Sequence, residues 1–363
     1  MNRFDTKIVF IVLFTLLPIV ILIAIASGAV NIPIIDVLKS MLNFLPFSSI
    51  EGPLPTPAEG SLLTSAQGSL PPAYEAIIQQ IRIPRVLLAA AIGCILALSG
   101  AAMQGLFRNP LADPSLIGVT AGASLGASIM IVLSAGYTSV WFGLSLLSFG
   151  AFLGGVIAVA LVYRLSSSGY GTSVATMLLA GIGITALASS LSSLLEFYAD
   201  NEMLRRISLW RMGSLESANY LSMLVAVIIA FMMLVLLPRY SAALNALLLG
   251  ESEAKHLGIN TERLKKQLII LVAAGVGISV ALAGTIAFVG LVVPHILRML
   301  IGPDHRYLLP ASALAGAILL VVADNVARVV LAPTELPVGL VTALIGVPFF
   351  ISLLTRRHVY GLS

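Results

Sequence analysis

From Val86 to Phe107 the chain runs 22 residues without a charge, bounded by Arg85 and Arg108. A helix rises about 1.5 Å per residue, so such a run spans roughly 30 Å, the thickness of a bilayer's hydrocarbon. Similar runs recur to the end of the chain, separated by short polar turns. They predict an all-α, polytopic membrane protein with about ten transmembrane helices, near 8–29, 83–107, 115–134, 141–163, 174–197, 219–237, 268–284, 286–301, 308–328 and 337–354. Composition agrees: 59% of the 363 residues are hydrophobic and 10% charged, against about 45–50% and 25% in soluble domains.

The stretch Leu268–Leu300 tests this division. It is 33 nearly continuous apolar residues, too long for one crossing, and splits best at Gly284-Thr285. Charge bias supports the split. With ten spans and the N-terminus inside, 13 of the 20 basic residues fall on the inner face; with a single span there, inner and outer faces share them evenly. The positive-inside rule therefore favours ten spans with both termini cytoplasmic. Arg3 and Lys7 precede the first run, and Ala24-Ile25-Ala26 mimics a processing site. A run of 19 residues exceeds a signal peptide's apolar core of about 7–15, so the first span is expected to be retained.

Residues 1–363 read as one transmembrane domain. Asn31–Asn43 has the character of a short interfacial helix. The following segment, 44–76, holds six prolines between Phe44 and Pro72 and cannot bury a core, so it is expected to be a flexible extracytoplasmic loop insert. The longest cytoplasmic segment is 240–267.

Several chemistries are absent. No Gly-Lys dipeptide occurs, so the chain has no phosphate loop of the Walker type. His256, His295, His305 and His358 lack cysteine partners and metalloprotease spacing, so no metal site is expected. Cys94 is the only cysteine, which precludes an internal disulfide. Scattered basic residues make no nucleic-acid patch. Gly122-Ala123-Ser124-Leu125-Gly126 fits a nucleophile pattern, but that pattern needs a strand-turn-helix setting and here lies within a helical run. Gly118, Gly122 and Gly126, at four-residue spacing, read instead as a small-residue packing stripe, as do Gly150 and Gly154. No catalytic residue is expected. No charge lies deep inside an apolar run; Glu196, Asp324 and Arg328 sit near span ends. That argues against the alternative of an ion-coupled secondary transporter, which needs a buried ionisable pathway.

Three constellations remain. Arg82-Ile83-Pro84-Arg85 opens the second span, and Arg328 follows Asp324 by four residues near the end of the ninth. All three arginines reach the outer face under the ten-span topology. Guanidinium forks suit carboxylates, and equally suit lipid phosphates. Asn109-Pro110-Leu111-Ala112-Asp113-Pro114 is a proline-held turn. Gly250-Glu251-Ser252-Glu253-Ala254-Lys255-His256-Leu257-Gly258 is a polar, glycine-bounded element between two spans.

RxPR, GxxLAxSGxxxQxxxxNPLAxP, GxxxGAxxG and the later FVGLVVPHILR and ELPVGLVTALIGVPFF strings resemble the membrane subunits of bacterial and archaeal ABC importers for iron-siderophore, haem and cobalamin, the type II importers. The resemblance covers nearly the whole chain. It implies a permease in the cytoplasmic (inner) membrane, working as a homodimer with two ATP-binding subunits that hold ATP and Mg²⁺, and with an extracytoplasmic solute-binding protein. It implies docking of that protein on Arg82, Arg85 and Arg328. Asn109 and Leu111, with Thr172 and Ser173, would form a cytoplasmic gate. Gly250, Glu251, Ser252, Glu253, Ala254, His256, Leu257 and Gly258 would couple to the ATPase. A ferric siderophore is the expected cargo, with haem or cobalamin as the other members of the group.

Overall fold

The computed structural model describes residues 4–44, 72–134, 140–141, 144–169 and 171–359. Most of the proline-rich insert, 45–71, therefore lies outside the described residues. The helices in chain order are α1 (Thr6–Ala26), α2 (Ile34–Phe44), α3 (Pro72–Ala76), α4 (Ile83–Leu106), α5 (Val119–Leu133), α6 (Leu146–Ser166), α7 (Val174–Tyr198) and α8 (Asn201–Arg211). They continue with α9 (Tyr220–Leu236), α10 (Ser241–Leu249), α11 (Glu251–His256), α12 (Thr261–Ala283), α13 (Val289–Ile301), α14 (His305–Val329) and α15 (Val338–Val359).

Seven of the described segments are long and apolar enough to cross a membrane, and three shorter apolar helices (119–133, 289–301 and 338–352) join them. Each corresponds to one expected span. The long apolar run breaks where the sequence indicates. Helix α12 ends at Ala283, Gly284 turns with φ +68°, and α13 starts only at Val289.

The bundle is built around α4, 83% of whose apolar window is buried against the rest of the chain. A helix apolar on every side has no preferred solvent face and belongs in the centre. In lipid, close helix contact comes from small residues rather than from a hydrophobic drive. A β-carbon on Gly93 would lie 2.2 Å from the Gly316 carbonyl oxygen of α14, and one on Gly100 would lie 1.8 Å from that of Gly290 in α13. The stripe on α5 works in the same way. β-Carbons on Gly122 and Gly126 would meet the carbonyl oxygens of Gly154 and Gly150 on α6 at 2.4 and 2.1 Å. Gly118 departs from this expectation. It sits before α5 at φ +78° and ends a single 3₁₀ turn, Pro114–Ile117, so its role is to let the backbone turn.

Helices α4 and α14 run antiparallel, because Arg85 pairs with Asp324 at one end and Gly105 abuts His305 at the other. The bundle thus has an arginine end and an opposite end that carries α10 and α11. At the arginine end the Trp210–Ser214 string turns inward. Ser214 N–H donates to the Ala283 carbonyl at 2.9 Å, and a β-carbon on Gly213 would lie 2.5 Å from the Thr285 carbonyl oxygen, so this string braces the break between α12 and α13. Helix α7 is the opposite of α4: only 17% of its apolar window is covered by this chain.

Candidate functional site

The arginine end gathers side chains from three distant segments. Arg85 donates from Nε to Asp324 Oδ1 at 2.9 Å and from Nη1 to Glu335 Oε2 at 2.7 Å. Arg328 donates from Nε to Asp324 Oδ2 at 3.0 Å and from Nη2 to the Ala24 carbonyl at 2.8 Å. Arg82 donates to the carbonyls of Ile25 and Ala26 at 2.6 and 2.9 Å, and to that of Val30. The i, i+4 pairing of Asp324 with Arg328 and the convergence of all three arginines match the sequence reading. Their availability does not. Each residue is 5–6% exposed, and the carbonyls that end α1, together with Asp324, occupy the guanidinium groups. Glu335 is the accessible member, its side chain 30% exposed. Three guanidiniums face two carboxylates, so the cluster keeps an excess positive charge.

At the opposite end, the turn after α4 is shaped by its own side chains. Asn109 Oδ1 accepts from Leu111 N–H at 3.0 Å, and Asp113 Oδ1 accepts from Ser115 N–H at 2.8 Å. Such short-range bonds let Asn and Asp hold a non-helical turn. Gln104, one turn earlier, donates to the Leu291 carbonyl at 3.1 Å and accepts from Arg298 at 3.2 Å. That ties the turn to the start of α13.

Thr172 and Ser173 have separate roles. Ser173 Oγ caps α7 by accepting from Thr176 N–H at 3.3 Å. Thr172 closes a small antiparallel hairpin, Ser167–Ser168 against Gly171–Thr172, and is buried in a polar node. Its N–H donates to Glu262 Oε2 and its carbonyl accepts from Lys265 Nζ, both at 2.7 Å. Lys265 also donates to Glu251 Oε1 and Glu262 Oε1, each at 2.9 Å.

Glu251 belongs to α11, where Gly250 (φ +130°) and Gly258 (φ +82°) bend the chain at either side. Only Ala254 of that helix is buried. Ser252, Glu253, His256, Leu257 and Gly258 are exposed, and Leu249 and Leu257 stand 69% and 64% exposed. A polar element flanked by two bare leucines has the form of a gripping surface for another protein. Burial works to raise the Glu251 carboxyl, but the Lys265 and Lys255 ammonium groups outweigh it and hold the group below the usual carboxylate range.

The sequence reading did not single out Lys265, Glu262 or Gln104. The i, i+3 spacing of Glu262 and Lys265 was visible, but nothing local marks Glu251 and Thr172 as their partners.

Between the two ends, α5 and α7 face a cleft of about 640 Å³, with Thr120, Ser124, Thr185, Ser189, Ser192 and Arg211 among its lining. Ser124 is thus one of several hydroxyls on a cleft wall.

Among the described residues, ten apolar helical segments, a hydroxyl-bearing cleft and a short exposed polar helix at one end have the form of a membrane transport permease. Residues 16–356 match the FecCD transport family, and the chain belongs to that family. It is 46% identical over 280 residues to the hemin transport system permease protein of Yersinia pestis, covering 77% of this chain and 83% of that one. It is 40% identical over 318 residues to the cobalamin import system permease protein of Halobacterium salinarum, covering 86% and 83%. An inward-facing structure of a metal-chelate type ABC transporter superposes with a TM-score of 0.79 at 33% identity, covering 97% of this chain and all of that one. The chain is therefore the multi-pass permease component of an ABC importer, a transport protein of the cytoplasmic membrane.

Proposed function

We propose that this permease moves a bulky metal chelate inward, and that its cargo is a metallated tetrapyrrole of the haem or cobalamin kind rather than the ferric siderophore expected from sequence. The names of the relatives support that choice: one is a hemin permease and another a cobalamin permease. The observation that carries the transport mechanism is the contrast between α4 and α7. Low coverage alone would be met by lipid, as it is for α1 at 11%. What sets α7 apart is that its uncovered side adjoins a hydroxyl-lined cleft, which calls for a second protein wall rather than lipid. A homodimer provides it, with the pathway between two copies of α7.

Two separate ATPase subunits, which bind ATP and Mg²⁺, grip the 250–258 element. The bias of basic residues supports a cytoplasmic location for that end and for both termini. The solute-binding protein docks at the arginine end. There its acidic side chains compete with Glu335 for the outward N–H of Arg85 and are attracted by the excess charge of Arg82, Arg85 and Arg328. The turn carrying Asn109 and Leu111 and the hairpin carrying Thr172 and Ser173 close the cytoplasmic mouth.

The test is uptake by proteoliposomes that contain the permease with its ATPase and external binding protein. ATP-dependent accumulation of haem or cobalamin, with no accumulation of a ferric siderophore, is the expected result. Exclusive siderophore uptake would overturn the cargo assignment. Uptake by the chain alone, driven by an ion gradient, would overturn the mechanism.

A further inference from the structure

We propose that Lys265 is the positioning residue that transmits movement of α11 to the hairpin of Ser167–Ser168 and Gly171–Thr172 and thence to α7. This rests on the reading of 250–258 as the element gripped by the ATPase. An ammonium group has three N–H donors, and the three acceptors around Lys265 come from three different elements. Glu251 belongs to α11, Glu262 to α12 and the Thr172 carbonyl to the hairpin, at 2.9, 2.9 and 2.7 Å. The Lys265 side chain is 3% exposed, so water cannot readily replace a partner that moves away.

The hairpin is held on both faces of one residue. Thr172 gives its N–H to Glu262 and its carbonyl to Lys265. Two bonds through one ammonium therefore join α11 to Thr172. The next residue, Ser173, caps α7, the helix that lines the cleft and has only 17% of its apolar window covered by this chain. A pull on α11 reaches the cleft wall without passing through the packed interior around α4.

A second feature of the hairpin points to the same contact. Gly171 has φ +119°, and a β-carbon there would lie 3.0 Å from the Glu262 carboxylate. Only glycine combines that backbone conformation with so close a carboxylate. The close approach of Glu262 to the hairpin is thus built into the backbone as well as into the charges. The other ammonium on Glu251, Lys255, is 58% exposed and bridges only within α11, so it cannot carry motion to the hairpin.

The experiment uses the complete complex of permease, ATPase and binding protein in proteoliposomes, and measures uptake and ATP hydrolysis on the same preparation. Lys265→Met is expected to lower the uptake-to-hydrolysis ratio about tenfold, the scale of an ordinary inter-site coupling, with the ATPase still bound and hydrolysing at close to the wild-type rate. Lys265→Arg is expected to recover part of the ratio. Gly171→Ala, which strains the hairpin without removing a charge, is expected to uncouple in the same direction, and it decides the matter if Lys265→Met does not assemble. An unchanged ratio in both Lys265→Met and Gly171→Ala, or uptake and hydrolysis falling in equal proportion, would overturn the proposal. If the wild-type complex itself showed no ATP-driven uptake, it is the underlying reading of 250–258 that would fail.

Discussion

The two ends of the bundle each bury basic side chains, and they are wired differently. At the arginine end, Arg85 and Arg328 share Asp324, Arg85 also holds Glu335, and Arg82 and the rest of Arg328 take backbone carbonyls at the end of α1. These partners lie on or beside α1, α4 and α14, and α4 and α14 are the packed centre. At the other end, one ammonium joins three elements, one of which, α11, is mostly exposed. The first arrangement braces a rigid face with surplus positive charge; the second links a surface element to an inner wall. A buried ion pair stabilises little relative to apolar packing, yet losing one partner is costly. Asp324 therefore matters chiefly because both Arg85 and Arg328 depend on it.

The largest effect is expected at that carboxylate. Asp324→Asn leaves two buried guanidiniums with a single accessible carboxylate, and should cost about 3–5 kcal/mol, the usual loss when one member of a buried pair is removed. Thermal unfolding in detergent would show it as a sharply lowered midpoint; an unchanged midpoint would mean the cluster is solvated. Next comes the central packing. Gly100→Ala drives a methyl into the Gly290 carbonyl and should cost about 1–3 kcal/mol by overpacking, measurable in the same assay. Glu335→Gln should cost only about 1 kcal/mol or less, because that partner is partly solvated. If docking competes with Glu335, the same variant should bind the solute-binding protein at least as tightly as wild type.

The smallest effect is the pH response of the lysine node. The Glu251 carboxyl is held below its ordinary value, so its contribution is complete above the unfolded value of about 4.3 and is lost as pH falls through the folded value. The uptake-to-hydrolysis ratio should be flat between about pH 6 and 8, with thermal stability falling only under more acid conditions. A midpoint in the ratio near neutrality would contradict this.

Much of this architecture was legible in the residues. Charge-free runs gave the apolar helices, Gly284 marked the break in the long one, and glycine spacing marked a packing stripe on α5 and another on α6, though not that the two meet. Convergence of Arg82, Arg85 and Arg328 was readable from topology. Their burial was not, because most of the acceptors for Arg82 and Arg328 are backbone carbonyls at 24–30, which no side-chain pattern reveals. The node around Lys265 was hidden for a related reason. Its partners are 14 and 93 residues away, and a carbonyl such as that of Thr172 leaves no mark in a sequence. Gly118 was misplaced in the stripe because spacing alone cannot separate a packing glycine from one that turns the chain.

The most direct test is to replace Ser252 by cysteine in a Cys94→Ala background and to label it in sealed vesicles of known orientation. A thiol at position 252 is predicted to react only from the cytoplasmic face, and to become protected when the ATPase subunit binds. Reaction from the external face would place α11 on the side proposed for the binding protein and contradict the proposed assignment of the two ends.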